Sequence, residues 1–164
     1  MSSNPKKDDG QLFLTPLRGK IRERKYAVYD LETTTDLQKV FLAGFYDGSR
    51  YRYFESEPSF PETPNGSIDQ FLTWLFADDE YVGYWIYAHN GGNFDALYLI
   101  RWLMDHAKDY SIEVIPVQST VLSLEVHEKK TRRRQRKWTF IDSLRLMNAG
   151  LDKLGKSFGL GGKE

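Results

Sequence analysis

Short apolar and aromatic runs alternate with polar turns along most of this 164-residue chain. The first run, Lys25–Leu31, is almost continuously apolar and aromatic, which predicts a β-strand buried on both faces. Three prolines and a glycine in Pro58–Gly66 predict a loop. Six later runs rich in β-branched and aromatic residues predict further strands, namely Val40–Tyr46, Arg50–Phe54, Tyr84–Ala88, Ile112–Val117, Val121–His127 and Lys137–Asp142.

Three segments carry helical periodicity. The first begins at Ser67, which forms a capping-box pattern with Gln70, and it ends at Asp78–Glu80. The second, Phe94–His106, has apolar residues around most of its circumference, and the third is Leu151–Phe158. The order of strands and helices predicts one mixed α/β domain. We expect residues 1–24 to be a disordered tail and lead-in, and residues 25–164 to form the domain.

The composition narrows the class of protein. Hydrophobic residues make up 40% and aromatic residues 15% of the chain, so we expect a ring-rich core and exclude disorder throughout. The absence of cysteine excludes disulfides and thiolate metal centres, and it fits a reducing compartment. The polar start, Met1–Gly10, lacks the apolar region of a secretory signal, and no apolar run approaches the ~18 residues of a membrane span.

Basic residues concentrate in one segment, although 23 basic and 23 acidic residues balance overall. Lys129–Lys137 contains seven basic residues and no acidic one, between two predicted strands. One interpretation is a solvated hairpin tip. The other is a set of phosphate contacts with salt-dependent affinity, made by the four arginines Arg132, Arg133, Arg134 and Arg136.

Two carboxylates lie at the end of the first predicted strand. Asp30 and Glu32 are two residues apart, so both point to the same face of the strand. Like charges this close favour a divalent cation such as Mg²⁺, which prefers carboxylate oxygens. The alternative is a solvated strand end, since the similar Asp78–Glu80 is predicted to be a surface turn.

A third carboxylate follows another strand. Tyr87–Asp95 places Gly91 and Gly92 in a turn, where glycine permits positive φ and close approach of a ligand, and it places Asp95 in the first helical turn. Asp95 could simply cap that helix. Because ligands of α/β sheets bind where strands end, its pairing with Asp30 predicts a site instead.

These segments resemble motifs of family B DNA polymerases. Tyr29–Thr35 resembles the first exonuclease motif, and its paired threonines after Glu32 are similar to those of the protein-primed branch in phages, viruses and linear plasmids. Tyr87–Leu99 resembles the second motif, and Phe140–Leu144 resembles the strand before the third. The resemblance covers Tyr26 to Lys163.

The resemblance implies a ribonuclease H-like fold, a mixed β-sheet flanked by helices, and a 3′→5′ proofreading exonuclease. Four carboxylates of that family hold two divalent ions, Mg²⁺ or Mn²⁺. By resemblance, Asp30 bridges both ions, Glu32 binds one and orients the attacking water, and Asp95 holds the other. The positions expected to hold single-stranded DNA near its 3′ end are Thr33, Asn90, Phe94, Ser143, Leu144 and Lys163.

One family element has no match in this sequence. The third motif, Tyr-x-x-x-Asp, supplies the fourth carboxylate, and no such pattern follows Asp142. We therefore expect weak or no activity from the chain alone, an incomplete metal site, and completion by the remainder of a polymerase, in cis or as another chain. A terminal protein is a further expected partner, and the expected location is the host cytoplasm or an organelle.

Two other functions remain open at this point. The same fold could bind single-stranded nucleic acid without cutting it, or it could act as a separate ribonuclease of the DEDD type. The three histidines lack the spacing of zinc ligands, so we expect structural or exposed roles for His89, His106 and His127.

Overall fold

A mixed seven-stranded sheet forms the centre of the protein, whose computed structural model describes residues 24–36, 38–60, 63–129 and 135–160. The strands are β1 (Tyr26–Thr33), β2 (Val40–Tyr46), β3 (Tyr51–Ser59), β4 (Trp85–Ala88), β5 (Tyr110–Val117), β6 (Thr120–Glu128) and β7 (Lys137–Asp142). The helices are α1 (Ser67–Ala77), α2 (Asp95–Asp105) and α3 (Leu151–Ser157), with short 3-10 turns at Asp79–Tyr81 and Ser143–Arg145.

The three central strands are parallel, and the outer strands are antiparallel to their neighbours. The order is β3-β2-β1-β4-β7-β6-β5, with β4 between β1 and β7. Val28 pairs with Tyr87, and Ala88 pairs with Asp142. The carboxyl ends of β1, β4 and β7 therefore meet at one edge of the sheet, where ligands of such sheets bind.

The core lies between one face of the sheet and the helices α1 and α2. Burial alternates along β1, so that Ala27, Tyr29 and Leu31 are buried. The Tyr29 ring stacks on Phe71 of α1 with their centroids 6.0 Å apart. At 25 cal/mol per Å², each such buried ring contributes about 2–3 kcal/mol of hydrophobic stabilisation. The largest fully buried side chains are Trp102, Trp138, Phe45, Phe71 and Phe76.

The other face of the sheet is largely open at β1. Tyr26 is 63% exposed and Val28 is 43% exposed, so the prediction that β1 is buried on both faces is wrong. The reason is tertiary, because α1 and α2 pack against the face that carries Tyr29. The apolar residues of β1 predicted the strand correctly but not the number of covered faces.

Three local predictions also need correction. Ser67 is the first residue of α1 rather than its cap, since Gly66 holds the cap position and makes no side-chain cap hydrogen bond. Helix α2 buries one face, around Leu99, and leaves Leu97 58% exposed. Strand β3 extends through Pro58, which was predicted to lie in a loop. Proline is tolerated there because β3 is an edge strand.

The predicted tail falls almost wholly outside the described residues, as do residues 130–134 of the basic segment. Among the described helices, none combines the length and the apolar character that a membrane span requires.

Candidate active site

Two of the predicted carboxylates face one cavity at the carboxyl edge of the sheet. Asp30 comes from the end region of β1, and Asp95 comes from the first turn of α2. The chain brings them together because β1 pairs with β4, and β4 leads through a short turn into α2. The cavity measures about 210 Å³ and is lined by Asp30, Leu31, Thr33, His89, Asn90, Phe94, Asp95 and Tyr98.

The pKa of Asp95 is raised by its burial and by the negative charges near it. Asp95 is 8% exposed, and its pKa rises from 3.8 to about 7. Burial is the largest cause, and the negative charge of Asp30 adds to it, although a backbone hydrogen bond from Leu31 opposes the rise. Burial and the charges of Asp95, Asp142 and Asp30 likewise raise the pKa of Tyr29. A cation between Asp30 and Asp95 would relieve this repulsion, so this donor set fits a hard divalent ion.

Glu32 stands apart from this pair. Its side chain shares a face of β1 with that of Asp30, as predicted, but Glu32 is exposed and does not line the 210 Å³ cavity. The pairing of β1 with β2 shifts register between Glu32 and Thr33. Thr33 lines the cavity beyond this irregularity. The assignment of Glu32 as a metal ligand stays a prediction.

The turn between β4 and α2 is shaped by an asparagine and two glycines. Asn90 adopts a φ of 65°, in the left-handed region that asparagine tolerates better than most residues. Gly91 and Gly92 do not use the positive φ that glycine permits. Gly92 instead permits close approach, because a Cβ on it would lie 2.1 Å from the Val121 carbonyl oxygen.

The residues predicted to hold a DNA strand lie around both sides of this turn. Phe94 is 46% exposed beside the cavity, so its ring is accessible for stacking. Ser143 is buried, and its hydroxyl donates to the Ala88 carbonyl oxygen at 3.2 Å. Leu144 is half-buried, and its N–H donates to Asp142 at 2.9 Å. Tyr98 was not predicted; its position three residues after Asp95, on the same helix face, was the available signal.

Asp142 is a further carboxylate beside the site, and the sequence motifs do not predict a role for it. This carboxylate ends β7 and is 3% exposed. It accepts hydrogen bonds from the N–H groups of Asn90 at 3.0 Å, Gly92 at 3.3 Å and Leu144 at 2.9 Å. Its position at the end of a strand, like that of Asp30, was the signal that could have indicated it.

A larger apolar cleft adjoins the cavity on the open face of the sheet. It measures about 700 Å³ and shares Asp30 and His89 with the smaller cavity. Its apolar walls are formed by Tyr26, Val28, Tyr87, Leu146, Met147 and Leu151. An apolar surface of this kind, beside charged groups, is typical of a surface that another part of a protein covers.

The described end of the basic segment lies far from the carboxylates. Arg136 precedes β7, whereas Asp142 ends it, so the two lie at opposite ends of one strand. The Arg136 guanidinium lies 2.9 Å from Asp79 and 3.5 Å from Glu128, and it lies over the Trp138 ring. It therefore has a structural role in addition to its predicted phosphate contact. Arg132, Arg133, Arg134 and Lys163 lie outside the described residues.

The histidines are largely structural, with one exception at the cavity. His106 stacks on Trp102 with the centroids 3.7 Å apart, whereas His89 lines both cavities. The ligand atoms of His127, Glu113 and Glu125 lie within 4.8 Å of one another. Because the Lys137 ammonium already contacts both carboxylate oxygens of Glu125, we interpret this group as an ion-pair network.

The mixed sheet with carboxylates at the edge of its central parallel strands defines a ribonuclease H-like domain. The chain resembles Phi29 DNA polymerase complexed with primer-template DNA, with a TM-score of 0.66 and 21% identity over 87% of this chain and 25% of that chain. The Phi29 DNA polymerase complexed with single-stranded DNA gives a TM-score of 0.65 at 21% identity, over 85% of this chain and 24% of that one. This similarity confirms the predicted fold.

Sequence comparison identifies the family. The family model for DNA polymerase type B, organellar and viral, matches residues 79–163. The chain belongs to this family. It is 32% identical over 100 residues to the DNA-directed DNA polymerase of Enterobacteria phage PRD1, which covers 58% of this chain. The chain spans about a sixth of that relative, since the match covers 16% of it.

Proposed function

We propose that this chain is the 3′→5′ exonuclease domain of a protein-primed family B DNA polymerase, which removes nucleotides from single-stranded DNA ends. The observation that carries the proposal is the convergence of Asp30 and Asp95 on one cavity. Burial and the nearby charge of Asp30 raise the pKa of Asp95. A bound cation would stabilise the ionised form of this carboxylate. Thr33, Asn90 and Phe94 at the same cavity add groups that can hold a strand end.

Each residue has a definite task in this reaction. Asp30 and Asp95 would hold Mg²⁺ or Mn²⁺, with Glu32 as a further ligand that orients the attacking water. Bound divalent ions activate that water and stabilise the leaving oxygen of the phosphodiester. Phe94 stacks on a base near the 3′ end, a contact worth about 1–3 kcal/mol. Thr33 and Asn90 fix the terminal nucleotides beside the carboxylates.

The site is completed by the rest of a polymerase. Three backbone N–H groups already donate to Asp142, and it does not line the 210 Å³ cavity, so we assign it a structural role rather than that of the fourth carboxylate. We propose that another part of the polymerase supplies that carboxylate and covers the 700 Å³ apolar cleft next to Asp30. A terminal protein would serve as primer for the same enzyme, which would act in the host cytoplasm or an organelle.

A second candidate function is a single-strand-binding module that does not cut. The position of Glu32 outside the 210 Å³ cavity favours it, because Asp30 and Asp95 are then the two carboxylates that line this cavity within the described residues. A ribonuclease of the DEDD type would use the same groups on RNA. The three functions differ in what they cleave.

The test measures cleavage of a single DNA strand labelled at its 3′ end, in Mg²⁺ or Mn²⁺. The proteins are this chain, the complete polymerase that contains it, and the Asp30→Ala form of that polymerase. Glu80→Gln is the matched control, because Glu80 is an exposed carboxylate at the opposite end of the sheet. An RNA strand of the same sequence is assayed in parallel.

We expect the complete polymerase and its Glu80→Gln form to release nucleotides from DNA, and Asp30→Ala to release none. Strand binding without cleavage by every form would overturn the nuclease proposal in favour of the binding module. Cleavage of RNA in preference to DNA would instead support the ribonuclease.

A further inference from the structure

A single buried carboxylate joins the two chain segments that flank the candidate site. One oxygen of Asp142 accepts hydrogen bonds from the N–H groups of Asn90 and Leu144, and the other accepts from Gly92. The turn between β4 and α2 and the 3-10 turn after β7 are thus anchored to the same side chain. A carboxylate has about four lone-pair sites, so three are occupied here.

The second contact between these segments runs through Ser143. Its hydroxyl donates to the Ala88 carbonyl oxygen at 3.2 Å, and it lies 3.2 Å from Nδ1 of His89. Asp142 and Ser143 therefore fix the chain on both sides of the turn that carries Asn90. Asn90 lines the 210 Å³ cavity, and Leu144 is predicted from the sequence motif to hold a strand end. The relative positions of these two residues depend on this connection.

Gly92 shows how closely the turn is seated. Its carbonyl oxygen accepts a hydrogen bond from the N–H of Val121 at 3.1 Å, so β6 holds it from one side. A Cβ on Gly92 would lie 2.1 Å from the Val121 carbonyl oxygen and 2.9 Å from Oδ2 of Asp142. Any side chain there would push the turn away from Asp142, because backbone atoms cannot yield as a flexible side chain can.

We propose that Asp142 is a positioning residue. It sets the separation of the two segments that flank the proposed strand-binding site, namely the β4–α2 turn with Asn90 and the 3-10 turn with Leu144, which we call the two walls. It acts through Asn90 and Leu144 rather than by contact with a metal ion or the scissile phosphate. The inference rests on the proposed function, because it assumes that these walls hold a 3′ end. Its consequence is that Asp142 determines the preference for a strand end over the interior of a strand.

Asp142→Asn is the informative substitution. The amide keeps one acceptor oxygen, but its NH₂ group faces a backbone N–H donor and cannot accept from it. A hydrogen bond to a charged group is stronger than one between neutral groups, so losing it loosens the contact between the two turns. We expect affinity for a free 3′ end to fall about tenfold.

The experiment compares two ligands by fluorescence anisotropy in EDTA, so that no cleavage occurs. One is a linear single DNA strand with a free 3′ hydroxyl, and the other is a covalently closed circle of the same sequence. The ratio of their dissociation constants measures the preference for an end. If a variant is merely destabilised, its affinity for both ligands falls equally and the ratio stays unchanged.

The chain offers a closely matched control. Asp78 caps the 3-10 turn Asp79–Tyr81 by accepting from the Glu80 N–H at 2.8 Å, as Asp142 does for Leu144. Asp78→Asn therefore removes the same kind of cap at the opposite end of the sheet. We expect Asp78→Asn to keep the wild-type ratio, and Asp142→Asn to bring the ratio close to one.

Gly92→Ala tests the same connection from the other side, should Asp142→Asn fail to fold. It displaces the turn while Asp142 stays intact, and we expect the same loss of preference for the linear strand. An unchanged ratio in a folded Asp142→Asn or Gly92→Ala protein would overturn the inference. A wild-type protein that binds both strands equally would overturn the proposed function itself, and the inference with it.

Discussion

The acidic side chains at the two ends of the central parallel strands have opposite electrostatic surroundings. At the amino-terminal ends of β1, β4 and β7, carboxylates meet arginines. Arg50 lies 2.8 Å from Asp47 and 2.6 Å from Glu80, and Arg136 lies 2.9 Å from Asp79. At the carboxyl ends, Asp95 faces the negative charges of Asp30 and Asp142.

The pKa values reflect this difference. Burial raises the pKa of Asp47, but hydrogen bonds from the N–H groups of Arg50 and Ser49, and from the Arg50 side chain, hold it well below its usual range. Burial and like charges instead raise the pKa of Asp95 to about 7. At the amino-terminal ends of the strands, arginines therefore neutralise the carboxylates. At the carboxyl ends, the carboxylates repel one another, and a bound cation would reduce this repulsion. We therefore expect metal binding and catalysis at the carboxyl ends.

The largest effect should come from removing a carboxylate at the carboxyl end. Asp95→Asn in the complete polymerase should reduce release of 3′ nucleotides by about 100- to 1,000-fold, because metal assistance contributes several kcal/mol to such reactions. Single-turnover assays on a labelled strand measure this rate. Glu80→Gln at the other end should stay within about twofold of the wild type, and an equal loss in both variants would contradict the comparison.

The second prediction concerns stability in the absence of metal. The pKa of Asp95 is about 7 in the folded chain against an ordinary 3.8, so the folded state binds the extra proton between these values. Its contribution is complete below pH 3.8 and is lost as pH rises through 7. We expect the free energy of unfolding in EDTA to fall by roughly 2–4 kcal/mol from this group between about pH 4 and pH 8.

Urea titrations at several pH values measure this slope. Asp95→Asn should remove the decline and so be more stable than the wild type at pH 8, although we expect it to release nucleotides far more slowly. Added Mg²⁺ should stabilise the wild type but not the variant. A wild-type stability that rises across this range would show that Asp95 is ionised without cost.

The sequence predicted the central motif better than its surroundings. Asp30 and Asp95 could be paired because each follows a strand, and neighbouring parallel strands end at one edge. The raised pKa of Asp95 could not be predicted, because it depends on burial produced by the whole fold. The ion pairs of Arg136 with Asp79 and Glu128 join residues distant in sequence, so the basic segment was interpreted from composition alone.

The open face of β1 was the main structural surprise. An apolar run predicts a strand, but the number of covered faces depends on where the helices pack. Tyr26 and Val28 are apolar in sequence and exposed in the fold, beside the 700 Å³ cleft. Asp142 escaped prediction for a similar reason, since its three backbone partners are set by the tertiary arrangement of two turns.

The third prediction asks whether the basic segment contacts DNA. Replacing Arg132, Arg133 and Arg134 with glutamine should make the salt dependence of single-strand affinity shallower. The slope of log K against log salt should fall in magnitude by about 0.7 for each phosphate that the variant no longer neutralises, so by about 2 in total. Anisotropy titrations between low and moderate salt give the slope. An unchanged slope would mean that these arginines form only a solvated hairpin tip.

The smallest effect should follow from removing an ion pair at the amino-terminal end of the central strands. Arg50→Met removes a partner from Asp47 and Glu80, but Arg50 itself is largely exposed, so we expect the melting temperature at pH 7 to fall by about 1–3 °C. The loss should persist in mild acid, because the pKa of Asp47 lies well below its usual range and its carboxylate stays ionised there. Thermal melts at pH 7 and pH 4 test this, and a loss that disappears at pH 4 would contradict it.

Helix α3 forms part of the wall of the larger cleft, and its stability determines how often that wall opens. It has seven residues and buries none of their side chains, whereas α1 buries six. A helix this short has little stability without packing, so its amide protons should exchange with solvent far faster than those of α1. Leu151 lines the cleft, so it would leave the wall of the cleft and return to it many times between global unfolding events. A segment that covers the cleft would slow the amide exchange of α3.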